Sequence, residues 1–128
     1  MARLRSVVLG TPDPRGLAAF YRGLLEDWLV VDDEPDWVKI APPGGGTGLS
    51  FQLETGHVAP VWPPRDGAQQ MQVHLDIAVA DLPSGIARAV ELGAAEAAVQ
   101  PQDDVHVMLD PAGHPFCLFV VPPGREAV

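Results

Sequence analysis

Val8-Leu9-Gly10-Thr11-Pro12-Asp13-Pro14 runs into a helical pattern, and Asp76-Ile77-Ala78-Val79-Ala80-Asp81-Leu82 runs into another. A shift of about 68 positions lays Asp13 on Asp81, Leu9 on Ile77, Val7 on Leu75 and Ser6 on His74. Further on, a shift of about 65 lays Gly48-Leu49-Ser50-Phe51-Gln52-Leu53 on Gly113-His114-Pro115-Phe116-Cys117-Leu118. Both ends of one unit therefore recur in the same order, which predicts two copies of a single module of roughly 55 to 60 residues.

Working outward, residues 4–10 are rich in Val and Leu and read as a strand. Asp13 then supplies an N-cap carboxylate, and Pro14 fills the first helical position, where a missing N–H costs nothing. Leu17, Phe20, Tyr21, Leu24 and Leu25 form the apolar stripe of a helix packed on a sheet. Strands are predicted at 28–32, 37–41 and 49–54. The acidic run Asp32-Asp33-Glu34 is expected in a solvated hairpin turn, and Pro42-Pro43-Gly44-Gly45-Gly46 in a loop.

The second module repeats this order, with a strand at 73–80, a helix from the Asp81 cap to Leu92, and Gly93 at the left-handed position after it. Strands at 96–99, 105–110 and 116–121 complete it, the last two joined by the turn Asp110-Pro111-Ala112-Gly113. Module 1 (about 1–56) and module 2 (about 70–122) are thus each β-α-β-β-β and are expected to form a single α+β domain. Residues 56–67, with Pro60, Pro63 and Pro64 around Trp62, are expected to link them.

Composition narrows the function classes. A 128-residue chain that is 47% hydrophobic can build a core without staples, and the single Cys117 cannot form an internal disulfide. A net charge of −9, with Lys39 the only lysine, argues against a nucleic-acid footprint, which needs clustered cations. No apolar run reaches the roughly 20 residues that span a bilayer, and no signal-peptide core follows Met1, so a cytoplasmic protein that binds no membrane is expected. Arginine in place of lysine, with abundant Ala, Gly and Pro, suggests a bacterial source.

Three pieces of sequence carry a family resemblance: Asp13-Pro14-Arg15 with Ala19-Phe20-Tyr21-Arg22 and Leu24-Leu25; His74-Leu75-Asp76 with Val79-Ala80-Asp81-Leu82; and Asp110-Pro111-Ala112-Gly113-His114-Pro115-Phe116. In that order and at repeat spacing they resemble the vicinal oxygen chelate superfamily, also called the glyoxalase/bleomycin-resistance/dioxygenase family. The resemblance covers nearly the whole chain. It implies two tandem βαβββ modules whose curved mixed sheets enclose a concave cavity, with the helices on the outer face.

Metal enzymes of that superfamily draw one ligand from the first and one from the fourth strand of each module, usually His or Gln followed by Glu. Carried over by the repeat alignment, those positions are Ser6, Gln52, His74 and Cys117. A catalytic ion wants about three good donors, and Ser6 and Gln52 are poor ones, so no catalytic metal is expected. If an ion is held, His74 and Cys117 hold it, with a further donor from His106, His114 or Asp76.

Strand alternation directs Val73, Leu75, Ile77 and Val79 toward the helix and Gln72, His74 and Asp76 toward the concave side, where Ser50, Gln52 and Glu54 join them. His74 is either satisfied by a neighbour such as Asp76 or Gln52 or is the candidate catalytic or ligand-contacting residue, with Asp76 as its orienter. Cys117, flanked by Phe116, Leu118 and Phe119, reads first as a small buried hydrophobe, the usual state of a free Cys. Trp62 is expected near the cavity rim or packed at the module junction, and His114 is expected to close its hairpin through a backbone hydrogen bond. No nucleophile motif or dinucleotide fingerprint is present, and Gly44-Gly45-Gly46 opens no helix that would cradle phosphate. The expectation is a homodimeric glyoxalase-like protein that binds a small organic molecule. The alternatives are a metal-dependent lyase, isomerase or dioxygenase, and a resistance protein that binds bleomycin-type antibiotics.

Overall fold

The computed structural model describes residues 1–126. They form two compact units, one ending at His57 and one beginning at Val58. The first contains β1 (Ser6–Thr11), α1 (Pro14–Leu24), β2 (Leu29–Glu34), β3 (Trp37–Ala41) and β4 (Gly48–Leu53). Its four strands lie in the order β1-β4-β3-β2, with β1 parallel to β4 and the remaining pairs antiparallel.

Helix α1 starts where the sequence places it. The Asp13 carboxylate accepts from the Gly16 N–H at 3.0 Å, while the buried Thr11 hydroxyl oxygen accepts from the Asp13 N–H. One face of the helix presents Leu17, Phe20 and Tyr21 to Leu9, Val38, Ile40, Leu49 and Phe51, all of them buried. Tyr21 stacks on Phe51 with ring centroids 5.7 Å apart. Because strand side chains alternate, the opposite face of the sheet carries Ser6, Val8 and Gly10 from β1 and Ser50 and Gln52 from β4.

The acidic run is not in the turn. Asp32, Asp33 and Glu34 are the last residues of β2, and Pro35-Asp36 makes the connection. Placed on an edge strand, their charges oppose pairing with another chain, and Asp33 also meets Arg15 of α1 at 2.8 Å.

The second unit contains β5 (Leu75–Ala78), α2 (Leu82–Leu92), β6 (Ala95–Glu96), β7 (Val105–Leu109) and β8 (Pro115–Phe119), with strand order β5-β8-β7-β6. Asp81 caps α2 by accepting from the Ser84 N–H at 2.9 Å, and hydrogen bonds from the Ser84 side chain first and its backbone N–H second hold the Asp81 carboxyl below its ordinary value. Gly93 ends the helix at φ 122°, a backbone that side chains disfavour. Ile77, Ala89, Met108, Phe116 and Leu118 are buried between helix and sheet.

Two strands are shorter than the sequence suggests. β5 begins at Leu75, leaving Val73 exposed and His74 just before the strand. β6 is only two residues long, because Gln100 takes over its partner's hydrogen bonds: its amide donates to the Val107 carbonyl and accepts from the Val107 N–H, both at 2.8 Å. The proline-rich segment belongs to the second unit. Val61 N–H donates to the Gln69 carbonyl, and the Trp62 indole N–H donates to the Val99 carbonyl at 3.1 Å.

Candidate functional site

The parallel β5–β8 pair builds the main cluster. Asp76 and Cys117 are partners in its register, so they stand side by side on the sheet face away from α2. His74 precedes β5 on the same side and directs Nδ1 to Asp76 Oδ1 at 3.2 Å. One donor atom from each of His74, Asp76 and Cys117 lies within 4.8 Å of the others. The His74 and Asp76 side chains are 41% and 61% exposed, so the cluster is reachable from solvent. Burial, and secondarily the Asp76 carboxylate, push the Cys117 thiol above its ordinary pKa. In this state the group is a thiol, and a poor nucleophile.

Of the three extra donors considered beside His74 and Cys117, only Asp76 joins them. His106 pairs in register with Leu118, on the α2 side of the sheet, and its Nε2 lies 2.9 Å from Glu96 Oε1. His114 serves the β7–β8 turn, its N–H donating to the buried Asp110 carboxylate at 3.0 Å and its carbonyl accepting from Asp110 N–H.

The first unit offers a different surface. Ser6 and Ser50 hydroxyls lie 2.6 Å apart and satisfy one another, Ser50 being fully buried. Gln52 is exposed and donates from Nε2 to Glu54 Oε1 at 2.7 Å. The strand registers also change the equivalence between modules. Val8 faces Ser50 as Asp76 faces Cys117, so with β1 matched to β5 it is Ser50, two residues before Gln52, that corresponds to Cys117. A period-two apolar pattern matches equally well after a slip of two, and only the hydrogen-bonded ladder fixes the choice.

Ser6 and Gln52 do not fit a four-donor metal centre. The Ser6 hydroxyl is engaged with Ser50, and Gln52 offers at most a neutral carbonyl oxygen. A separate groove of about 240 Å³ lies on the helix side of the first sheet, between α1 and β2, where Asp33 holds Arg15 and Arg22 donates to the Trp28 carbonyl. Sequence reading passed over that groove. Arg15 and Arg22 both lie in the family-like stretch of α1, but nothing in their spacing signals a groove; only the packing of α1 beside β2 forms it. Trp62 is half-buried, and its N–H is committed to Val99. Among the described residues, no helix is long and apolar enough to cross a membrane.

This architecture matches known proteins. The model of the glyoxalase-like domain family matches residues 6–119, and the chain belongs to that family. No curated protein matches the sequence. Among solved structures, a glyoxalase/bleomycin resistance protein/dioxygenase family enzyme from Burkholderia phytofirmans PsJN superimposes with a TM-score of 0.71 at 15% identity, over 94% of this chain and 100% of the other. A glyoxalase-related enzyme from Fulvimarina pelagi gives 0.63 at 19% identity, over 94% and 88%. TnmS3, an antibiotic binding protein from Streptomyces sp. CB03234, gives 0.58 at 18% identity, over 94% and 96%. At such identities the likeness establishes the shared fold, and function must be argued from the site.

Proposed function

We propose that this chain is a small-molecule-binding glyoxalase-like protein that works without the four-donor metal centre of metal-dependent members of its superfamily. The observation that carries the reading is the solvent-reachable cluster of His74, Asp76 and Cys117 on the sheet face opposite α2. Polar groups gathered on an open sheet face give a ligand fixed hydrogen-bonding partners, as in small-molecule sites generally. The donors at Ser6 and Gln52 speak against a lyase, isomerase or dioxygenase built on a shared ion.

A cationic drug is a second candidate ligand. Net charge −9 favours it, and an antibiotic binding protein among the structural neighbours supports considering it. The reading includes a homodimer, since the β1 edge of the first sheet and the edges of the second lack the charge run of β2 and can be covered by a two-fold partner. Light scattering giving the 13.6 kDa mass of a single chain would remove the dimer.

A thermal-shift screen of organic anions, neutral metabolites and cationic antibiotics, followed by calorimetry on the hits, tests the proposal. His74→Ala is expected to weaken a hit by roughly 1–3 kcal/mol if it loses a desolvated hydrogen bond. Its stability should fall less than that of Ile77→Ala, which opens a core cavity at 8% exposure. Unchanged affinity together with an equal stability loss would make His74 structural and place the binding site elsewhere.

A further inference from the structure

We propose that the groove between α1 and β2 binds a small organic monoanion, a carboxylate carrying an apolar body, with Arg22 as its anchor. The site lies within the first unit and shares no residue with the His74 cluster. Along α1, Arg15, Ala18, Ala19 and Arg22 stand at i, i+3, i+4 and i+7, so one helix face carries a guanidinium at each end and methyl groups between. A rise of 1.5 Å per residue separates the two cations by about 10 Å along the axis. β2 forms the opposite wall with Val30 and Asp33, whose register partners Ile40 and Val38 are buried.

The two ends of the groove differ. Arg15 Nε meets the Asp33 carboxylate at 2.8 Å, so the protein itself seats a carboxylate there. Arg22 Nε donates to the Trp28 carbonyl at 3.2 Å, a neutral partner that orients the side chain. Acidic residues outnumber basic ones by 17 to 8, yet among the described residues none forms an ion pair with Arg22. Its terminal nitrogens keep the planar fork that grips a carboxylate through two parallel bonds. Arg15, Asp33 and Arg22 together carry a single surplus positive charge, which matches a monoanion. The apolar body is required by the floor: Val38 is 2% exposed, and Val30 stands 42% open beside it, surface that a bare inorganic anion would leave uncovered. A volume of about 240 Å³ lies below the roughly 300–1,000 Å³ of drug-sized pockets, so the body is one ring or a short branched chain.

The test is an NMR titration of the 13.6 kDa chain with 3-phenylpropanoate, its methyl ester and acetate. 3-Phenylpropanoate is expected to give saturable shifts at the Arg22 Nε–H signal and at the backbone amides of Ala18, Ala19 and Val30. The ester lacks the charge and acetate lacks the apolar body, so each should bind at least about fivefold more weakly. Arg22→Gln, at an exposed position where folding is little at stake, should weaken 3-phenylpropanoate by the same factor. Asp33→Asn acts with the opposite sign. It leaves Arg15 unneutralised, so affinity for 3-phenylpropanoate should rise, and 1,4-phenylenediacetate, with a carboxylate at each end, should become the better ligand; an Asp33 that only supports the fold would weaken binding when replaced. Absence of saturable shifts, equal binding of the ester, or unchanged affinity in Arg22→Gln would overturn the site. Shifts confined to His74, Asp76 and Cys117 would overturn it too while supporting the function proposed above, so the two readings fail separately.

Discussion

Asp76 and Cys117 are register partners across the parallel β5–β8 pair, which seats a carboxylate beside a partly buried thiol. Burial is the larger of the two causes that raise the thiol pKa, and the negative charge of Asp76 is the smaller. Both favour the neutral form.

Asp76→Asn should therefore lower the Cys117 pKa only part of the way to its ordinary value, because burial remains. The pH dependence of thiolate absorbance, or of the alkylation rate, measures it. The stability consequence has a definite sign. A raised folded-state pKa means the unfolded chain ionises first, so this thiol's contribution is full below the ordinary value of 9.0 and declines as the pH rises beyond it. A Cys117 pKa in Asp76→Asn equal to the parent's would refute the electrostatic coupling.

Gly85 of α2 faces Val79, and a Cβ placed there would lie 2.9–3.0 Å from the valine side chain. In an open helix Gly→Ala gains about 1 kcal/mol of propensity. Here the added methyl must push the helix away from Val79, just past the end of β5, and overpacking of this kind costs about 1–3 kcal/mol. Gly85→Ala is expected to lower the melting temperature, and a rise would show that α2 has room to move outward.

The aromatic pair of the first unit gives a larger effect. Phe51 is fully buried and stacks on Tyr21, so Phe51→Ala should cost about 3–5 kcal/mol, while Gln52→Ala next to it, exposed and on the other face, should change stability by less than about 0.5 kcal/mol. Denaturant midpoints of the two variants test whether β4 alternates as described.

Much of this was legible in the sequence. Asp13-Pro14 and Asp81-Leu82-Pro83 start helices for local reasons, through a side-chain cap and a fixed proline φ, and both helices begin there. The Asp110 turn closed as expected, since it too is built from neighbours in sequence. What the sequence left open was non-local. Asp32–Glu34 looks like a turn by composition, yet pairing with β3 draws it into a strand. Ser50 rather than Gln52 answers to Cys117 because alternation fixes the face of a strand and leaves its register free. His74, Asp76 and Cys117 were all named from sequence, but only the β5–β8 pairing shows Asp76, and neither His106 nor His114, beside the other two.

Gln100 provides a test of how the outer edge of the second sheet is finished. β6 stops after two residues, and the Gln100 amide then acts as a short piece of strand, receiving the Val107 N–H and donating to both the Val107 and Ala97 carbonyls. Val107 is 4% exposed, so its backbone groups have little water to turn to once that side chain is gone. Gln100→Ala should cost about 1–3 kcal/mol, the penalty for leaving the Val107 N–H unpaired, since the Val107 carbonyl still accepts from the Ala97 N–H at 3.1 Å. Gln100→Glu separates hydrogen bonding from simple space filling. A carboxylate can still accept from the Val107 N–H, but it has no hydrogen to give and sets its charge against two carbonyl oxygens, so it should rescue little of the loss. Thermal melts rank the three proteins, and amide hydrogen exchange at Val107 reports the local opening, which should be faster in both variants than in the parent. Parent-like exchange at Val107 in Gln100→Ala would mean that β7 keeps its edge closed by other contacts and that the Gln100 amide is dispensable.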